Sequence, residues 1–386
     1  MRPALATDAA VTGVGAITAL GAGVPATWEG ILLGRDGART LADDGGTGGM
    51  PRAATVDEPW LRTVVPEAHE AQAKFLNPSG QLAVTAAAEA ATAGRLADSG
   101  ATEGDRAFFL AQVDWTPCSF THFHAAFEEA SDGFRKPAEG EALNAATIRK
   151  LNPFYLLDTL NNNASSLLAA IHGLRGPNTS TSGWSGTGLA ALSLGARTVA
   201  RGEAKVGLVV GTGRFTTPTS RLEIERIHPL GAQVVPGEGA GALCLESLAG
   251  ARARGLSPLA VVLGQGAACG APVDRRPSAH TLAAAAREAL REAGALAGEV
   301  SAALCSDVDG GRAALATLPG GGGIPVIAWR RQTGEMGPGS DAAEAALAAH
   351  ALSVGRLPGL GTPPTSVLLL ACGIDGQAFA VLLARA

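Results

Sequence analysis

Residues 176–192 read GPNTSTSGWSGTGLAAL, a short strand running into a glycine elbow and then into an alanine-rich helix. A residue at such an elbow projects into a cleft. The backbone amides of the helix start that follows have no intrahelical partner and sit at the positive end of the helix dipole, so they can hold an oxyanion. Ser185 stands at this position, directly after the bulky Trp184. GWSGT has the outline of a nucleophile elbow, but Thr187 stands where GxSxG requires its second glycine.

Outward from the elbow, short β-rich runs alternate with alanine-rich helical runs, which argues for an α/β protein with largely buried sheets. The strand expectations are 10–14, 107–113, 206–211, 242–246, 259–264, 302–306, 324–329, 367–371 and 378–383. The helix expectations are 25–33, 80–93, 163–172, 186–201, 281–293 and 341–352. So much alanine implies helices packed closely on more than one side. A composition change at SLAGARARGLS (Ser247 to Ser257) divides the chain into residues 1–248 and 249–386. The stretches Leu41 to Val65 and Ser131 to Arg149, rich in glycine or charge, read as surface insertions.

With 386 residues and 46% hydrophobic content, the chain can bury two compact domains or one large one built of two halves. Its net charge of −5 and lack of a basic block argue against nucleic acid as a partner. The longest apolar runs, such as VLLLAC (Val367 to Cys372), fall well short of a membrane span of about 20 residues. The N-terminal MRPALATDAAVTGVGAI reads as strand and turn rather than signal peptide. Five scattered cysteines (118, 244, 269, 305 and 372) without CxxC spacing fit a reducing cytoplasm and no zinc site. The pair His122 and His124 lacks an acidic or cysteine partner at metal-like spacing and reads as a solvated or interface loop. Neither a metal nor a cofactor is expected.

Four segments, taken in order, resemble the β-ketoacyl synthases of the thiolase superfamily. VTGVGAITALGAGVPATWEGILLGRDG (Val11 to Gly37) is similar to their opening strand, turn and first helix. LNPFYLLDTLNNNASSLLAAIHGLRGPN (Leu151 to Asn178) resembles the approach to the nucleophile strand. PGEGAGALCLE (Pro236 to Glu246) resembles the close of the N-terminal half, and ACGIDGQAFAVLLA (Ala371 to Ala384) the last glycine-rich hairpin. The resemblance implies a thiolase-like fold, two similar halves forming a five-layered αβαβα core. Gly237, Gly239 and Gly241 are expected to shape a sharp bend through positive φ, with Glu238 accepting backbone hydrogen bonds.

In members of that family that condense, a cysteine takes an acyl chain and two histidines assist decarboxylation and hold the enolate. Counted from Gly176 and Pro177, the cysteine position falls on Ser185, with Gly188 matching the glycine three residues on. The first histidine position, in LCSDVDGG (Leu304 to Gly311), falls on Asp307, with Asp309 as the rival. The second, a KxxxGH-like turn in WRRQTGEMGPG (Trp329 to Gly339), falls on Glu335. Gly373, Ile374 and Gly376 correspond to the oxyanion and gate loop, without its phenylalanines. A carboxylate facing a developing enolate opposes the chemistry, so these three positions read as vestigial and no residue is expected to be catalytic.

A kept scaffold without cysteine or histidines resembles the chain-length factors of bacterial type II polyketide synthases. The resemblance implies a cytoplasmic, non-catalytic subunit of antibiotic-type pathways that pairs as a heterodimer with an active ketosynthase. It bounds the chain tunnel there and meets acyl carrier protein transiently. Phe108 to Asp114 and the helix from Asn161 to Ala170 are then expected at the interface, and Thr116 to Lys136 along the partner's tunnel. Trp184 either plugs the vestigial tunnel or fills the core beneath the elbow. A rival reading makes Ser185 the nucleophile of an acyltransferase or thioesterase-like enzyme acting on carrier-protein thioesters, with His350 or His228 as base. A third rests chemistry on Cys305 or Cys372, for which burial is the plainer expectation.

Overall fold

In a computed structural model that describes residues 1–41, 52–57, 64–113, 120–155, 162–217, 220, 234–271, 278–305 and 307–386, ten strands carry the architecture. They are β1 (Ala9–Thr18), β2 (Arg106–Gln112), β3 (Asn178–Ser182), β4 (Val206–Arg214) and β5 (Glu238–Ser247). The second set is β6 (Ala260–Cys269), β7 (Ala302–Cys305), β8 (Val326–Ile327), β9 (Ser366–Cys372) and β10 (Gln377–Ala384). The order across the sheet is β8-β7-β9-β10-β6-β1-β5-β4-β2-β3. Read outward from the middle, β1-β5-β4-β2-β3 and β6-β10-β9-β7-β8 are one strand order used twice.

Strand directions repeat as well. In each set the first strand pairs antiparallel with the last, the last antiparallel with the fourth, and the other two join in parallel. Among the described residues the two sets pair at Ala10 with Val261 and Val11 with Ala260. The two similar halves expected from the sequence are therefore visible in the topology.

The helices relevant to the site are α1 (Val24–Leu32), α2 (Pro78–Ala93), α3 (Phe120–Ala130), α4 (Gly140–Lys150) and α5 (Asn162–His172). Beyond them lie α6 (Thr187–Ala200), α7 (Ala279–Glu292), α8 (Val308–Ala316) and α9 (Pro338–Val354). Helix α2 covers the outer face of the first set of strands and α7 that of the second, while α6 and α9 pack on each other and touch strands of both. The layers run helix, sheet, helix, sheet, helix. All ten residues of β1 are buried, as a strand covered on both faces requires.

Helix α9, PGSDAAEAALAAHALSV, is buried almost throughout. A helix between two sheets can present only small residues around its circumference, which accounts for its alanines. The strands beneath it are trimmed further. A Cβ on Gly213 would lie 1.9 Å from the Met336 carbonyl oxygen, one on Gly211 2.2 Å from that of Pro338, and one on Gly241 2.1 Å from the Ala343 nitrogen.

This corrects the reading of PGEGAG. Gly237, Gly239 and Gly241 do not have positive φ. They are glycine because backbone from Gly334, Ile17 and α9 approaches too closely for a side chain. Glu238 opens β5, accepts from the Val56 amide at 2.9 Å as expected, and also holds Arg214 and Thr216.

The stretch 131–149 is mostly exposed, as a surface insertion should be, and its second half is α4, which packs on α3 through Ala126, Ala130 and Ala146. Most of 41–65 lies outside the described residues, although Arg52–Ala54 pairs with Ala38–Thr40. The strand from Phe108 lies between β3 and β4 and is buried, so it offers no free edge to a partner; Asp114 lies outside the described residues. The exposed edge is β3.

Candidate functional site

Strand β3 ends at Ser182 and α6 begins at Thr187, so Ser185 sits in the connection, half-buried. Gly186 has φ 100°. A Cβ there would also lie 3.0 Å from the Phe379 ring, so both strain and space require glycine. Across the inner layer, the helical turn Arg330–Thr333 and the start of α9 come from the corresponding strand-to-helix passage of the second half, after β8. The repeated topology thus brings two helix starts together.

Their side chains interlock. The Ser185 hydroxyl donates to Glu335 Oε1 at 2.7 Å, and Arg330 Nη1 donates to Ser185 Oγ at 2.9 Å and to Glu335 Oε2 at 3.0 Å. Arg330 Nη2 reaches Asp341 Oδ1 at 2.6 Å and Glu344 Oε2 at 2.8 Å, and Nε donates to the same Glu344 oxygen at 3.0 Å. The other Asp341 oxygen, Oδ2, accepts from the amides of Gly186 at 2.6 Å and Gly188 at 3.0 Å. Glu335 Oε1 also takes the Gly337 amide at 2.7 Å.

One guanidinium therefore serves three carboxylates, almost out of water. The Arg330 side chain is 4% exposed, Asp341 0%, Glu344 7% and Glu335 18%. Burial pushes Asp341 up to about 6 against the pull of Arg330, and raises Glu344 for the same reason. Burial opposes the Arg330 charge, but the surrounding carboxylates outweigh it and hold its pKa well above the ordinary value. Glu344 Oε1 is buried without a hydrogen-bond partner among the described residues.

Of the residues singled out from the sequence, Ser185 and Glu335 meet directly. Asp307 does not join them. Its carboxylate caps α8, accepting from the Gly310 amide at 2.9 Å, because a helix begins at the next residue, Val308. Asp309 is 96% exposed and faces Arg312. The loop Gly373 to Gly376 joins β9 to β10 and leans on the elbow, since a Cβ on Gly373 would lie 3.0 Å from the Ser185 carbonyl oxygen. Ile374 is half-buried in it, and Gly376 turns it with φ 81°. Trp184 is half-buried with its ring centroid 6.0 Å from that of the buried Phe215.

The rival bases and thiols fare poorly. His350 stands edge-on to Trp28, its pKa lowered by burial, and Ser185 Oγ bonds to no histidine among the described residues. His228 lies outside the described residues. Burial pushes the Cys305 thiol up to about 12 and raises Cys372 well above the ordinary value, which leaves both as neutral, unreactive thiols.

Sequence reasoning missed Arg330, Asp341 and Glu344. A signal existed for the first, since the lysine of a KxxxGH-like turn falls on Arg330. The other two stand three residues apart in a helix of alanines, where isolated acids demand a buried partner. Among the described residues no group of three or more His, Cys, Asp or Glu is arranged to hold a metal ion, and no helix is long and apolar enough to cross a membrane.

Comparison with known proteins bears on this frame. The family profile described as "Beta-ketoacyl synthase, N-terminal domain" matches residues 6–251. The 3-oxoacyl-[acyl-carrier-protein] synthase 2 of Vibrio harveyi is 31% identical over 135 residues, 31% of this chain and 32% of that protein, so the match spans about a third of the curated relative. A solved structure described as the ishigamide ketosynthase/chain length factor superimposes with a TM-score of 0.80 at 22% identity, covering 98% of this chain and 99% of that one. Another is described as AntDE:AntF, a type II PKS acyl-carrier protein in complex with its ketosynthase bound to the hexaketide. It gives 0.77 at 17% identity, covering 98% and 99%. The fold is the thiolase-like ketosynthase fold, and with the profile extending over most of its length, the chain belongs to the β-ketoacyl synthase family.

Proposed function

We propose that this chain is a non-catalytic ketosynthase-like subunit, a chain-length factor. On this reading it pairs with an active β-ketoacyl synthase in the cytoplasm, bounds the polyketide tunnel and meets acyl carrier protein transiently. The observation that carries the reading is the bonding of Ser185. Its hydroxyl is tied to a carboxylate and a guanidinium, with no imidazole bonded to it among the described residues. Serine needs a base to become a nucleophile, and a decarboxylating site needs donors around the forming enolate. Glu335 instead presents negative charge 2.7 Å from Ser185 Oγ.

The partner reading draws support from β3. This end strand, Asn178–Ser182, is largely exposed and among the described residues has a neighbour on one side only, the kind of edge that a second sheet extends. The solved relatives include a ketosynthase/chain length factor unit and a ketosynthase with its carrier protein. Ser185 and Glu335 are on this reading relics of an active site, Trp184 and the 373–376 loop border the former acyl space, and the pathway is of the antibiotic type.

The acyltransferase or thioesterase-like alternative has one observation in its favour: the hydroxyl already donates to a carboxylate that could take its proton. Arg330 pairs with that carboxylate in its charged form, which opposes the transfer. One experiment separates the two. The purified chain, alone and with a cysteine-bearing ketosynthase, is incubated with acyl- or malonyl-loaded carrier protein and weighed intact. Equimolar copurification with the ketosynthase and no adduct on this chain are expected. A stable adduct lost in Ser185→Ala would sink the non-catalytic reading, and a homodimer that ignores every ketosynthase offered would sink the partner claim.

A further inference from the structure

The start of α6 presents three donors to the second half: the Ser185 hydroxyl and the amides of Gly186 and Gly188. All three are taken by carboxylates of the second half, Glu335 Oε1 on the hydroxyl and Asp341 Oδ2 on the two amides. Both carboxylates are fixed from behind by the same cation, Arg330. Arg330 is fixed in turn by two donations to Glu344 Oε2. The arrangement is that of an anion site with its ligands built in.

We propose that Glu335 and Asp341 form an autoinhibitory lock, two internal carboxylate ligands that occupy the elbow and keep external acyl and carboxylate oxygens out. A thioester oxygen approaching Ser185 must displace one of them, and each is held by more than one hydrogen bond. Asp341 Oδ1 and Oδ2 together accept three. Glu335 accepts from Ser185, Gly337 and twice from Arg330. Displacement would also set a carboxylate against its neighbours in a water-poor space, where an unpaired charge is heavily disfavoured. The lock deepens the non-catalytic reading and rests on it in this respect: the elbow is blocked by occupation as well as stripped of its catalytic groups.

Removing a built-in ligand should leave a vacancy of defined chemistry. Asp341→Ala would expose the Gly186 and Gly188 amides and one arm of Arg330. Glu335→Ala would expose the Ser185 hydroxyl, the Gly337 amide and the other arm. Each vacancy matches a small carboxylate, and sodium formate is the probe. Thermal midpoints are recorded for wild type, Asp341→Ala, Glu335→Ala and Asp341→Asn in formate against chloride at equal ionic strength. Binding to the folded form alone multiplies the folding equilibrium constant by one plus the ratio of formate concentration to its Kd, about 11-fold at ten times Kd.

A saturable rise in midpoint is expected in both alanine variants and absent from wild type and Asp341→Asn, whose amide still fills the space. Should Asp341→Ala fail to fold in chloride, recovery in formate supports the lock. Failure to recover, together with an unresponsive Glu335→Ala, counts against it. Equal shifts in wild type and variants, or folded alanine variants indifferent to formate, overturn the proposal. No partner or carrier protein enters this measurement, so its failure leaves the copurification test standing, and the reverse also holds.

Discussion

Arg330→Met is the most searching perturbation of the cluster, because it keeps the volume of the side chain and deletes only its charge and donors. The guanidinium donates to Ser185, to both Glu335 oxygens, to Asp341 and twice to Glu344, with its side chain 4% exposed. Without it, three carboxylates share one interior with only backbone amides and a hydroxyl to offset them. Removing one partner of a buried ion pair typically costs about 3 to 5 kcal/mol, a large part of a total stability of about 5 to 15 kcal/mol. The loss must shrink on acidification, since Asp341 and Glu344, already raised by burial, then take up protons. Denaturant midpoints at unchanged slope measure it, and Trp329, buried beside Arg330, supplies a local fluorescence signal. The triple variant Arg330→Met, Asp341→Asn, Glu344→Gln should recover most of the loss. A single variant within ~1 kcal/mol of wild type, or a loss equal at pH 5 and pH 8, would refute the reasoning.

Asp341 also predicts a pH dependence of its own. Its folded pKa of about 6 lies above the ordinary 3.8, so its stabilising contribution is complete below pH 3.8 and is lost as pH rises through 6. The difference between wild type and Asp341→Asn should therefore change by roughly 3 kcal/mol across that window, read from urea melts at stepped pH. Asp307→Ala should lose about 1 kcal/mol as a helix cap, with faster hydrogen exchange at the Gly310 amide that Asp307 holds. Gly213→Ala would drive a Cβ to 1.9 Å from the Met336 carbonyl oxygen; it should cost at least ~3 kcal/mol by forcing α9 off the strand, seen as insoluble expression or a much lower denaturant midpoint.

Most of the strand and helix cores were legible because both faces of the sheets are covered, which writes nearly continuous apolar runs such as VLLLA at 367–371. The elbow was legible for a related reason, since a strand, Gly186 and a small-residue helix leave a local signature. Of the two side chains bonded to Ser185, Glu335 was legible through the family resemblance and Arg330 was not. Arg330 lies 145 residues away in the chain, and only the repeated topology, which seats two strand-to-helix passages against each other, makes them neighbours. PGEGAG was misread because a glycine admitting foreign backbone and a glycine with positive φ look the same in one sequence. Asp307 was placed in the frame by motif, but its own helix claims its carboxylate. The division at 248 stays a proposal, supported by the strand order that begins again at β6.

The pairing of first strand with last in each half bears on how the chain is made. Ala9 pairs with Ser247, so β1 must wait on the ribosome, its inner edge open, until nearly two thirds of the protein has emerged. Even then the first sheet lacks its inner cover, because α9, which lies along β4 and β5, is synthesised near the end. The N-terminus itself is fastened only to the second half, Met1 to Glu299 and the Arg2 amide to the Ala293 carbonyl. Such nonlocal closure predicts slow folding with a long exposure of glycine-lined strands. The nascent chain is then a natural client for chaperones, and supplying them should raise its soluble yield more than changing any surface residue.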